Sequence, residues 1–219
     1  METNHGWTDM TKTADLARRA SRWPWRRWLA APLVLGAVLG AASCRSELTQ
    51  NGSGVFLIVD DLAASSGAEE TSLFEHTLES DVLTNGGIFE DKGRVTLRLA
   101  PKDVTSGPLS TNNHVTITRY RVVYKRSDGR NQQGVDVPYA FDGAATTTVG
   151  TGNAQATFVL VRVQSKLEAP LIALSNGGGA LVISTIAEVT FYGKDQTGND
   201  VTATGLISVN FADWADPEN

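Results

Sequence analysis

With 219 residues, 41% of them apolar and 20% charged, the chain has enough apolar sequence to bury a core; this excludes a disordered chain, a coiled coil and a polytopic membrane protein. A single cysteine excludes an internal disulfide framework and any paired-cysteine metal knuckle. The formal charge of −5 divides into +3 over residues 1–43 (six basic, three acidic) and −8 over residues 44–219 (thirteen basic, twenty-one acidic), and so acidic a body argues against general nucleic-acid binding, which needs a positive field.

The N-terminal stretch holds Arg18, Arg19, Arg22, Arg26 and Arg27, then an apolar run of fourteen residues from 29 to 42. Ala41, Ala42 and Ser43 lead directly to Cys44. A basic stretch, an apolar run and a small-residue exit predict a secretory signal peptide over residues 1–43. The basic end stays on the cytoplasmic side, the apolar run partitions into the bilayer, and small side chains fit a peptidase pocket. The competing reading is an uncleaved transmembrane helix. Spanning takes about 20 apolar residues, and this run is shorter and contains Pro32, Gly36 and Gly40. Under either reading the basic residues set the body outside. Met10 is an alternative start, and Arg26-Arg27-Trp28-Leu29 is similar to part of a twin-arginine signal.

Ala41-Ala42-Ser43-Cys44, with Leu39 slightly upstream, resembles the lipobox of a bacterial lipoprotein precursor. Ala41 departs from the residue favoured at its place. The resemblance implies lipid attachment at the Cys44 thiol, cleavage before it and acylation of the new N-terminus. It also implies a membrane as partner, with the body in the cell envelope on the extracytoplasmic side. The alternative, a buried or free thiol, explains poorly a lone Cys at the end of an apolar run. Each buried CH₂ contributes about 0.8 kcal/mol, so one acyl chain holds marginally whereas two hold firmly.

Residues 44–54 are polar, with Gly and Ser, as suits a flexible tether. Residues 55–219 then read as one domain whose apolar periodicity is two. Val95, Leu97 and Leu99 alternate with Arg94, Thr96 and Arg98; Tyr120, Val122 and Tyr124 alternate with Arg119, Arg121, Val123 and Lys125. Leu181, Ile183, Thr185, Ala187, Val189 and Phe191 share one face, as do Val201, Ala203, Gly205, Ile207, Val209 and Phe211. Such alternation with β-branched residues predicts half-buried antiparallel strands. Residues 55–59 and 158–163 are apolar on both faces and predict central strands. Turn chemistry separates the runs, at Ser127-Asp128-Gly129, Asp142-Gly143 and residues 195–199 among others. Residues 164–174 are the best helix candidate; Pro170 inside them predicts a single turn crossing between sheets. Residues 63–91 carry no clear pattern, and residues 73–83 fit a strand, a helical turn or a loop.

These signals predict an all-β antiparallel sandwich with an elaborated N-terminal part; a jelly roll is the alternative. The last two strands around Asp195-Gln196-Thr197-Gly198-Asn199 resemble the closing hairpin of bacterial immunoglobulin-like or fibronectin type III-like modules. The resemblance covers about 30 residues of a module that usually has about 100.

No catalytic constellation stands out. His5, His76 and His114 are not at ligand spacing, and no HExxH or GxSxG occurs. The sequence therefore predicts neither an enzyme nor a cofactor, a hydrolase with unassigned residues being the alternative. Asp60-Asp61, Glu69-Glu70, Glu90-Asp91, Asp195, Asp200, Asp213 and Asp216 read as solvated loop positions. Asp195 to Asp200 have oxygens enough to suggest Ca²⁺, which takes about six to eight, but a hairpin turn explains the same residues. Gly177-Gly178-Gly179 lacks the frame of a phosphate loop. Arg119, Arg121, Lys125, Arg126 and Arg130 form a local positive set in an acidic body. They fit a surface for a glycan, a lipid headgroup or an envelope protein, or a solvated edge strand guarded against pairing. Trp214, the one Trp after the signal, fits a ligand-stacking aromatic or a plug closing the core. The reading is an exported, lipid-anchored, non-catalytic envelope protein, with a carbohydrate- or peptidoglycan-associated module as the alternative.

Overall fold

The computed structural model describes residues 52–68, 73–105, 107–177 and 180–214. The expectations for residues 1–43, Cys44 and most of the tether, and those for Glu69, Glu70, Gly178, Gly179 and Asp216, lie outside the described residues.

Eight strands and two short helices are described: β1 (Val55–Ser65), β2 (Thr77–Asp81), β3 (Asp91–Pro101), β4 (Val115–Lys125), β5 (Phe141–Val149), β6 (Ala154–Val161), α1 (Val163–Lys166), α2 (Ala169–Ile172), β7 (Ile183–Asp195) and β8 (Asp200–Ala212). They form two sheets, ordered β1-β3-β6 and β2-β8-β7-β4-β5. All pairings are antiparallel except β2 with β8, which is parallel. The expected all-β sandwich is thus present, and the parallel β2 adds to the antiparallel plan.

Period-two alternation builds both inner faces. Val95, Leu97 and Leu99 of β3 are buried, and so are Ala187, Val189 and Phe191 of β7 and Ile207, Val209 and Phe211 of β8. In β4 the buried set shifts from Val115 and Ile117 to Tyr120, Val122 and Tyr124, because a bulge falls between Ile117 and Arg119. An added residue moves the following side chains to the other face. The odd-numbered set of β7 begins at Ile183; Leu181 lies before the strand and is exposed.

The two runs expected to be central strands are edges instead. β1 and β6 flank β3 in the three-stranded sheet. On β1, Phe56 faces outward beneath Lys102, whose ammonium lies 5.3 Å from the ring centre. On β6, Phe158, Leu160 and Val161 are buried and Val159 is half-buried. A both-faced apolar run therefore marked strand position poorly. Residues 164–174 resolve into α1 and α2, with Pro170 in the first turn of α2, where its missing N–H costs nothing. In the unpatterned stretch 63–91, β1 continues to Ser65 and β2 occupies Thr77–Asp81.

Aromatic rings join the sheets. Tyr120 lies 4.9 Å from Phe158 and Phe158 5.4 Å from Phe191, centre to centre. Two glycines make room: a Cβ on Gly93 would meet Phe158 at 2.4 Å, and one on Gly143 would meet Tyr120 at 2.2 Å. The hydroxyls of β4 cross to β6 as well. Tyr124 donates to the Leu160 carbonyl at 2.7 Å, and Tyr120 accepts from the Val159 amide at 3.2 Å.

Candidate functional site

The basic set lies on and just beyond β4, which runs between β7 and β5 and is therefore an interior strand, not an edge. Alternation sends Arg119, Arg121 and Lys125 to the outer face of the five-stranded sheet, and each meets a carboxylate from a neighbouring strand. Arg119 and Arg121 share Asp142 of β5, at 2.6 Å to one oxygen and 2.7 Å to the other. Lys125 reaches Glu188 of β7 at 2.5 Å. The Arg119 guanidinium also stacks 3.9 Å from the Tyr192 ring centre, its register partner on β7. Beyond the strand, Arg126 and Arg130 converge on Asp128 at 2.7 Å and 3.1 Å. Hydrogen bonding from the Arg126 side chain and the Arg130 amide holds the Asp128 carboxyl well below its ordinary range. Five cations thus face three carboxylates, which leaves a local excess of positive charge on an acidic body.

Beside Arg119 lies a shallow depression lined by Thr118, Arg119, Tyr192, Lys194, Asp200 and Thr202. It offers hydroxyls, an aromatic ring and an ion pair between Lys194 and Asp200 at 2.5 Å. Trp214 is not part of this face. It follows the end of β8, is half-buried, and its backbone amide donates to Asp81 at 3.0 Å. Its Nε1 is buried with no partner among the described residues.

A buried ion pair lies away from this face. Lys166 of α1 and Asp91 at the start of β3 are both 0% exposed, with Nζ 2.9 Å from Oδ2 and 3.1 Å from Oδ1. The ammonium donates to the Asp81 carbonyl at 2.7 Å. The carboxyl accepts from Ser80 Oγ at 2.6 Å and from the Gly67 amide at 3.0 Å. Asp81 in turn accepts from Thr84 Oγ1 and the Trp214 amide. Burial pushes the Asp91 carboxyl above its ordinary range, against the pull of the Lys166 charge and the Ser80 and Gly67 donors. Asp91 is therefore the opposite of the solvated loop position expected for it. Its neighbour Glu90 is exposed, as the alternation into β3 requires.

The remaining polar candidates have structural partners. Asp195 Oδ1 accepts from the Thr197 and Asn199 amides, both at 2.9 Å, and from Thr197 Oγ1 at 2.7 Å. These donors bind the oxygen that the calcium reading would have used, and the turn of the β7–β8 hairpin results. Among the described residues no group of three or more His, Cys, Asp and Glu is placed to hold a metal ion. His76 is exposed beside Asp61 at 3.5 Å. The His114 amide closes a 3-10 turn (Thr111–Asn113) on Thr111 at 3.1 Å, at the entry to β4.

No protein-family model matches the chain, and comparison with curated proteins and with solved structures finds no match.

Proposed function

We propose that the protein is an exported, lipid-anchored envelope component whose β-sandwich serves as a non-catalytic structural or binding module. The observation that carries this reading is the position of Cys44, which ends an apolar run behind five arginines and stands eleven residues before the first strand residue, Val55. Acylation at Cys44 would leave the polar sequence of residues 45–54 between the lipid and β1. Growth with labelled palmitate, followed by fractionation, tests it. The wild-type chain takes up label and sediments with membranes, whereas Cys44→Ala takes up none and is released or kept as precursor. Equal labelling of both, or a cytosolic wild-type product, overturns the reading.

The strand order supports the finer, immunoglobulin-like reading of the sandwich. That arrangement keeps strands A, B and E in one sheet and C, F and G in the other. Setting β2 aside, β1, β3 and β6 lie in one sheet here and β4, β7 and β8 in the other, with β5 beside β4.

A second reading, a glycan-associated module, rests on the Arg119 face. The depression there combines the stacked pair of Arg119 and Tyr192 with Thr118, Thr202 and the local cation excess. Half-burial of Trp214 favours its role as a plug and leaves this face as the binding surface. Retention on immobilised acidic polysaccharide, lost in Arg119→Ala with an unchanged melting curve, is the expected result; equal retention of wild type and variant removes this reading.

A further inference from the structure

We propose that Lys166 and Asp91 become joined by an intramolecular amide, Nζ to Cγ, formed by the folded chain itself. The reactants already face each other. Nζ lies within 3.1 Å of both carboxyl oxygens, so it fronts the whole carboxyl group and not one corner of it. Both side chains are 0% exposed. Amide formation needs one proton to pass from Nζ to the carboxyl across this contact, which leaves a neutral pair. That pair is an amine beside a carboxylic acid, the two reactants of amide formation.

The surrounding donors and acceptors suit the reaction. Ser80 Oγ donates to Oδ2 at 2.6 Å and the Gly67 amide to Oδ1 at 3.0 Å. Both withdraw electron density from Cγ and stabilise negative charge on the oxygens as the carbon becomes tetrahedral. The Asp81 carbonyl holds one nitrogen-bound proton at a donor distance of 2.7 Å and so fixes the direction of the amine. In the step, the neutral Nζ attacks Cγ and the N–C bond forms. The Cγ–Oδ2 bond breaks, and Oδ2 leaves as water with the carboxyl proton and one amine proton. The amide keeps its remaining N–H for the Asp81 carbonyl and its Oδ1 for the Gly67 amide, so no established hydrogen bond on those atoms is given up. Exclusion of bulk water protects the product from hydrolysis. Residues 75 apart in sequence are then clamped, with the start of β3 fixed to α1.

Tryptic peptide mapping by mass spectrometry of the purified, folded full chain tests the proposal. The expected result is one branched species carrying the Asp91 and Lys166 peptides, lighter by one water than their sum, with no cleavage after Lys166. Lys166→Arg should return the Asp91 peptide to its linear, unmodified mass. Full recovery of the unmodified linear peptides from the wild-type chain, with trypsin cutting after Lys166, overturns it. So does a water loss that persists in Lys166→Arg.

Discussion

Tyr120 and Gly143 occupy the same space on adjacent strands: the phenol ring of β4 lies where a side chain on β5 would begin, and an added Cβ would sit 2.2 Å from its Cζ. The ring is pinned from the other side by Phe158 and by the bond from the Val159 amide. Gly143→Ala therefore has nowhere to relax. It should lower stability by about 1–3 kcal/mol, the usual cost of overpacking. Gly152→Ala is the control, since a Cβ there meets nothing within 4 Å. Denaturant midpoints of the two variants check this; similar midpoints would mean that Tyr120 swings aside freely.

Tyr124 makes the companion tie, fully buried and donating to the Leu160 carbonyl at 2.7 Å across the sandwich. Burial holds its hydroxyl well above the ordinary tyrosine range, so it is a donor at neutral pH. Tyr124→Phe keeps the ring against Phe211 but strands a buried carbonyl. Loss of about 1–3 kcal/mol follows. Thermal unfolding with an unchanged midpoint would show that another donor takes over.

Lys166→Met removes the nitrogen partner of Asp91, as ion or as amide, and leaves a carboxyl with 0% exposure. Removing one member of a buried pair costs about 3–5 kcal/mol, far more than any exposed pair on the molecule. Lys125→Met, which breaks the exposed bridge to Glu188, should cost less than about 1 kcal/mol. Chemical unfolding of both variants side by side measures the contrast.

Where alternation met water on one side only, the fold was legible in the sequence. In β3, β7 and β8 the apolar phase alone predicts which side chains are buried. The phase slip in β4 was not, because the bulge at Ile117 and Arg119 carries no glycine or proline to announce it. Edge and centre are not distinguished for β1 and β6, since an apolar outward side chain needs no further strand to cover it, as Phe56 of β1 beneath Lys102 shows. The β2 segment was illegible for a similar reason: its Ser80 and Asp81 are buried by hydrogen bonding and not by hydrophobicity. The Lys166 and Asp91 pair was hidden by sequence distance. Neither residue type suggests burial, and only the tertiary fold brings α1 to the start of β3.

Asp195 gives the clearest pH signature. Burial alone would raise its carboxyl, but the bonds from Thr197, Asn199 and Ser53 outweigh it and hold the group well below its ordinary value of 3.8. A depressed carboxyl contributes stability that is present above its unfolded value and is lost as pH falls toward the folded one. Asp195→Asn should thus be less stable than wild type at neutral pH, and the gap should narrow below about pH 4 as the wild-type advantage is titrated away. Melting temperatures across that range check it; a constant gap down to strong acid would mean that the turn, not the charge, sets the difference.

Asp142 decides how much positive charge the outer face presents. It neutralises one charge where Arg119 and Arg121 supply two, and both bridges are partly solvent-exposed. Exposed pairs contribute little to stability, so Asp142→Ala should change the unfolding midpoint by less than about 1 kcal/mol in free-energy terms. Its effect on binding should be larger and opposite in sign to loss of an arginine. Freed guanidinium groups attract anions over roughly 10 Å at ordinary salt, so retention on an acidic polysaccharide should rise in Asp142→Ala and fall in Arg119→Ala. Both differences should shrink as salt is added, because screening removes the field but not a shape-based contact. Retention that ignores both substitutions and the salt would assign binding to some other face of the sandwich.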